Sequence, residues 1–264
     1  MKKTLIAGLC ALMAAGASYA EDAVRLYAAG SLKAVMTEIG EAYAKEHGVA
    51  VKGEFGPSGL LRQRIAGGEP ADVFASANME HPQALHAAGK AGPVRMFTRN
   101  RLCGLVSPKL QVTPETLLER MLDPQVKLGM STPKADPSGD YAVALFEKAE
   151  ALKPGATKAL MDKALRLTGG PDTPPPPKDR VVYGVLVEEG KADIFLTYCT
   201  NALLAKKEVP ALQIVQVPEA LAVGADYGLT VVSNRAEAQR FADYVLSEKG
   251  QSILARYGFA PPAR

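Results

Sequence analysis

Three short stretches combine residue types that can bind an anion without a metal. Ala29-Gly30-Ser31, Gly56-Pro57-Ser58-Gly59 and Asp136-Pro137-Ser138-Gly139 each set a serine among small turn residues where a helical pattern begins. The first turn of a helix leaves backbone N–H groups without acceptors and carries a partial positive charge. Glycine lets an anion approach the backbone closely, and a serine hydroxyl adds a donor. Two or three such corners facing one another could hold a dehydrated oxyanion with no charged side chain in contact. Each hydrogen bond to a charged group is worth roughly 1.5–3 kcal/mol net, so about six of them offset a large dehydration cost. Taken singly, each serine reads as an ordinary helix N-cap. The recurrence points to a ligand.

Other chemistry is less well supported. Ser131-Thr132-Pro133-Lys134 has Ser-x-x-Lys spacing, which makes an exported serine hydrolase the rival reading. Pro133 argues against the clean helical turn that this pattern needs. Gly56 to Leu60 is not a nucleophile elbow, because Leu60 stands where the last glycine belongs. His47, His81 and His86 fall near expected helix boundaries or on an exposed helix and read as solvated. Arg62 and Arg64, on the short helix after Ser58, read as a solvated face that could tune the field nearby. The histidines and cysteines are too dispersed for a structural zinc site. No catalytic residue, direct cation ligand or cofactor is expected.

The elements that must position the corners follow from hydrophobic periodicity. Strands are expected over 24–28, 49–55 and 71–75, with helices over 32–46, 60–66 and 82–88. The apolar run 101–106 carries the chain into a second unit, where the pattern restarts. There a strand over 126–130, a turn-rich loop over 131–139 and helices over 141–152 and 156–167 are expected. A loop with four successive prolines follows over 169–178, then a helix over 180–189 and strands over 192–199 and 212–217. Residues 227–233 cross back, and helices over 236–247 and 250–257 finish the chain. Strands alternating with helices predict α/β layers with mostly parallel sheets.

The chain of 264 residues is too apolar, at 47% hydrophobic, and too weakly charged to be disordered. Lys2 and Lys3, an apolar stretch and Ser18-Tyr19-Ala20 form an export leader with cleavage before Glu21. Cys10 is not a lipidation site on this reading, since Leu9 precedes it. Removing residues 1–20 takes two lysines and no acids from the total, which leaves 29 basic against 28 acidic side chains. Such a balance gives no global attraction for nucleic acid or an anionic membrane, so anion selectivity must be local. Cys103 and Cys199 remain. Export and an even count favour a disulfide between them, with two buried thiols as the alternative.

The corners sit in longer runs that resemble a known family, the periplasmic molybdate-binding proteins of ABC importers, within the type II solute-binding class. Leu26-Tyr27-Ala28-Ala29-Gly30-Ser31-Leu32 resembles the family's first anion-binding turn. Phe55-Gly56-Pro57-Ser58-Gly59-Leu60, with Arg62, Gln63 and Ile65, resembles the second. Pro70-Ala71-Asp72-Val73-Phe74-Ala75-Ser76-Ala77 is the most specific match. Gly190-Lys191-Ala192-Asp193-Ile194 leading to Tyr198, and the ending Gly250-Gln251 to Tyr257-Gly258-Phe259, also fit. The resemblance implies a two-lobe fold, with residues 21–100 and 229–264 in one lobe and 101–228 in the other. It implies molybdate or tungstate held by Ser31, Ser58, Ser138, Tyr198 and a backbone N–H at or near Arg180. It also implies a monomer that delivers its ligand to a membrane permease and does no chemistry. Two positions depart from the pattern: Ser138 often stands as alanine, and Arg180 as an apolar residue. Sulfate, phosphate or a related oxyanion is the alternative ligand.

Overall fold

The computed structural model describes residues 23–262. The expected leader therefore lies outside the described residues. The first elements follow the expected order: β1 (Val24–Ala29), a 3-10 turn (Gly30–Leu32), α1 (Lys33–His47), β2 (Val51–Gly56), α2 (Ser58–Ala66), β3 (Val73–Ser76) and α3 (Glu80–Ala87). Next come β4 (Arg95–Val106), α4 (Leu117–Leu122), β5 (Leu128–Ser131), α5 (Pro137–Leu152), α6 (Ala156–Lys163), β6 (Leu165–Thr168) and α7 (Val182–Glu188). The chain ends with β7 (Ile194–Tyr198), α8 (Cys199–Glu208), β8 (Gln213–Gln216), β9 (Gly224–Val231), α9 (Ala236–Leu246) and α10 (Glu248–Arg256).

The strands form one hydrogen-bonded path, β2-β1-β3-β9-β4-β7-β5-β6, with β8 also on β4. The outer triplets, β2-β1-β3 and β7-β5-β6, are parallel as expected. At the join the strands run antiparallel: β9 against β3, and β4 against β9, β7 and β8. β4 changes partners along its length. Arg95 to Arg101 pair with β9, and Leu102 to Val106 pair with β7. The path thus divides into two halves joined through β4 and β9.

Helices cover both faces of each half. In the first, α1 lays Val35, Met36, Ile39 and Tyr43 into the main core together with α9 and α10. On the opposite face, Leu61, Ile65 and Leu85 of α2 and α3 pack with Tyr27 and Phe74. In the second half α5 buries Ala142, Leu145 and Phe146, while α7 and α8 cover Leu105 and Phe195. Strands buried on both faces lose the alternation of a half-exposed strand, which is why β1, β3 and β7 read as continuous apolar runs.

The run 70–77 has a structural reason for its acid. Asp72 is fully buried and accepts hydrogen bonds from the Arg25 backbone N–H (2.8 Å), Arg25 Nη2 (3.0 Å), Ser233 Oγ (2.7 Å) and Arg235 Nη1 (2.7 Å). It ties β1, β3 and the exit of β9 together. Burial pushes its carboxyl up, but the hydrogen bonds from Arg25 and Ser233 outweigh that and hold it at about 2.

Four details depart from expectation. The sixth helix stops at Lys163, and the stretch expected to continue it is the edge strand β6. β4 begins at Arg95, six residues before the expected apolar run. Neither α4 nor α8 was expected. As expected, Cys103 on β4 and Cys199 at the start of α8 are joined as a disulfide, with Cα atoms 4.9 Å apart.

Candidate anion-binding site

All three corners open helices just beyond the carboxyl ends of strands, on the side where the two halves face each other. Ser31 lies in the 3-10 turn after β1, Ser58 is the first residue of α2, and Ser138 is the second residue of α5. Tyr198 is the last residue of β7. All four are buried.

A continuous set of contacts links them across the two halves. Ser31 Oγ lies 2.9 Å from Tyr227 Oη. The Tyr227 ring meets Tyr198 edge-on at 5.6 Å between centroids, and Tyr198 meets Tyr141 at 6.3 Å. Tyr141 Oη donates to the Ala77 carbonyl at 3.4 Å, and the Ala77 N–H donates to Ser58 Oγ at 3.1 Å. Tyr141 lies one turn along α5 from Ser138. The halves also touch directly, where Gly59 N–H donates to the Ala135 carbonyl at 2.9 Å. A Cβ at position 59 would sit 2.4 Å from the Lys134 carbonyl oxygen and 2.8 Å from that of Ala135, so glycine is required by close approach.

Ser138 Oγ and Tyr198 Oη are buried without any hydrogen-bond partner. Ser58 Oγ accepts from Ala77, which leaves its own hydrogen to give. Asn100 Nδ2 donates to Tyr227 Oη at 3.3 Å, so the Tyr227 hydrogen can point to Ser31 and free the Ser31 hydrogen. Each of the four hydroxyls thus has a hydrogen to donate. An unpaired buried hydroxyl costs about 1–3 kcal/mol, so each of these two gains from an acceptor supplied from outside the chain. Burial raises the Tyr198 and Tyr227 phenols, which keeps both protonated as donors.

The Arg180 side chain does not join this set. It is exposed, with Nη2 on Glu188 at 3.0 Å and Nε on Glu208 at 3.2 Å. Glu208 also accepts the Val181 N–H, so the entry to α7 is capped internally. Two acids on α7 and α8 outcompete the cleft for this guanidinium. Ser131 is fully buried, whereas Lys134 is exposed, so the two do not form a nucleophile and base. His81 is buried, not solvated, with Nε2 unpartnered and its pKa lowered by burial and then by Arg62. Asn100, Tyr141 and Tyr227 escaped the sequence reading. They sit on crossing strands or inside a helix and carry no turn signal.

A separate open groove of about 660 Å³ lies between residues 89–93 and 229–236, and none of the five expected anion ligands lines it.

A model of the family described as bacterial extracellular solute-binding protein matches residues 24–260. The chain belongs to that family. An uncharacterised protein of Pasteurella multocida is 38% identical over 241 residues, covering 90% of this chain and 98% of its own. The molybdate-binding protein ModA of Escherichia coli is 28% identical over 265 residues, covering 96% and 95%. Among solved structures, the periplasmic molybdate-binding protein of Azotobacter vinelandii matches with a TM-score of 0.73 at 18% identity, over 91% of this chain and all of that one. This last likeness shows the fold, which is the two-lobe type II class. In open α/β sheets ligands bind in the crevice beyond the carboxyl ends of the strands, which is where these corners lie.

Proposed function

We propose that this protein captures a tetrahedral oxyanion, molybdate or tungstate, in the periplasm and delivers it to the membrane permease of an ABC importer. The lobes are residues 21–100 with 229–264, and 101–228, and a leader over 1–20 directs export. The protein works as a monomer, does no chemistry, and binds the metal only as its oxyanion. The observation that carries this reading is the set of four buried hydroxyls, each with a hydrogen to donate, drawn from both halves. Such a set suits a ligand that only accepts. The choice of molybdate rests on the names of relatives and on the sequence runs shared with that family.

Thermal stability of the mature chain against molybdate, tungstate, sulfate and phosphate tests it. Ligand at roughly 1,000 times its dissociation constant stabilises by about 4 kcal/mol. Molybdate and tungstate should give that shift. A shift with sulfate or phosphate alone would reassign the ligand, and no shift with any of them would remove the anion reading.

A further inference from the structure

The third corner differs from the other two in carrying an acid. No side chain caps the helices at Ser31 and Ser58. At α5, Asp136 Oδ1 accepts the Ser138 backbone N–H at 3.1 Å. The positive end of this helix, beside two of the four candidate donors, already holds a carboxylate of the chain itself. Gly169, with φ of +78°, lets the Asp136 side chain pack closely, since a Cβ there would lie 2.7 Å from Oδ2.

The groups around Asp136 come from each element near it. Ser131 at the end of β5 and the Ser138 N–H stabilise its charge, and Asp140 on α5 opposes it. From α7 and β7, Tyr183 and Tyr198 feel its field. Lys134, two residues earlier, is exposed, and its backbone N–H is bound to Asp140. Burial already raises the Asp136 carboxyl to about 6. A dianion seated at Ser138 and Tyr198 would meet this carboxylate in a site of low dielectric, where like charges repel strongly.

Resting on the oxyanion reading above, we propose that one proton from solvent enters the cleft with the anion and is held between Asp136 and the bound oxyanion. Capture is then coupled to proton uptake, and Asp136 sets its pH dependence. Affinity is greatest below pH about 6 and falls as pH rises, approaching tenfold per unit.

Calorimetric titration of molybdate and of sulfate into the wild type and Asp136→Asn tests this between about pH 5.5 and 8.5. Two buffers of different ionisation enthalpy count the protons. Asparagine is an equally good N-cap, and Asp136→Ser serves as a second variant. The expected result is about one proton taken up by the wild type at pH 7.5, and a flat profile with tighter binding at high pH in both variants. A wild-type profile without slope, or a slope kept in both variants, would overturn the role of Asp136 while leaving the anion site intact. Absence of heat for either anion at every pH would instead remove the anion site, and this inference with it.

Discussion

Tyr198 separates a binding role from a structural one. Its hydroxyl is buried and unpartnered, so Tyr198→Phe removes a group that costs the free protein stability. Unfolding free energy of the ligand-free chain should stay within about 1 kcal/mol or rise, while affinity for the oxyanion falls by roughly 10- to 100-fold. Paired denaturation and binding measurements check this, and lost stability with unchanged affinity would make the hydroxyl merely structural. Asp72 behaves oppositely. Its carboxyl, held at about 2, contributes about 2.5 kcal/mol that is fully present above pH about 4 and lost as pH falls through 2. Asp72→Asn should cost about 3 kcal/mol at neutral pH and flatten acid unfolding over that window. Urea denaturation at several pH values reads both. Within the family-like run 70–77, Asp72 therefore serves the frame.

Among the elements, α2 is the one whose entry must nearly touch the opposite half. Gly59→Ala suits a helix but drives a Cβ into the carbonyls of Lys134 and Ala135. Closure should suffer more than folding, with an affinity loss on the order of tenfold and a nearly unchanged melting temperature. The disulfide spans 96 residues and pins β4 to α8. Replacing both cysteines by serine should lower stability by about 4 kcal/mol, measurable by denaturant unfolding. The corners, β1, α1, α2, β3 and α5 were legible because glycine, proline and serine mark their boundaries and their apolar faces are periodic. β6 was not, because four residues at a sheet edge, with Leu165 exposed, look like one more helical turn. α8 starts at Cys199 with no turn residue after β7, so no boundary signal exists. The start of β4 is masked by Arg95, Arg99 and Arg101. The outward turn of the Arg180 guanidinium was not legible, because its acidic partners lie 8 and 28 residues away.

For the whole molecule, the sequence match establishes family membership and the site suggests the ligand. Two halves share β4 and β9, and hydroxyl donors from both lie where the halves meet. A molecule so built should bind one anion per chain and close upon it by a hinge motion, giving the permease a surface that the open form lacks. The most direct test is calorimetric titration of molybdate into the mature wild type and into the Ser58→Ala, Tyr198→Phe double variant. One tight site per chain is expected in the wild type, with affinity reduced by at least about 100-fold in a double variant that still unfolds cooperatively. A double variant that titrates like the wild type, or a wild type that gives no heat with molybdate, would contradict that expectation.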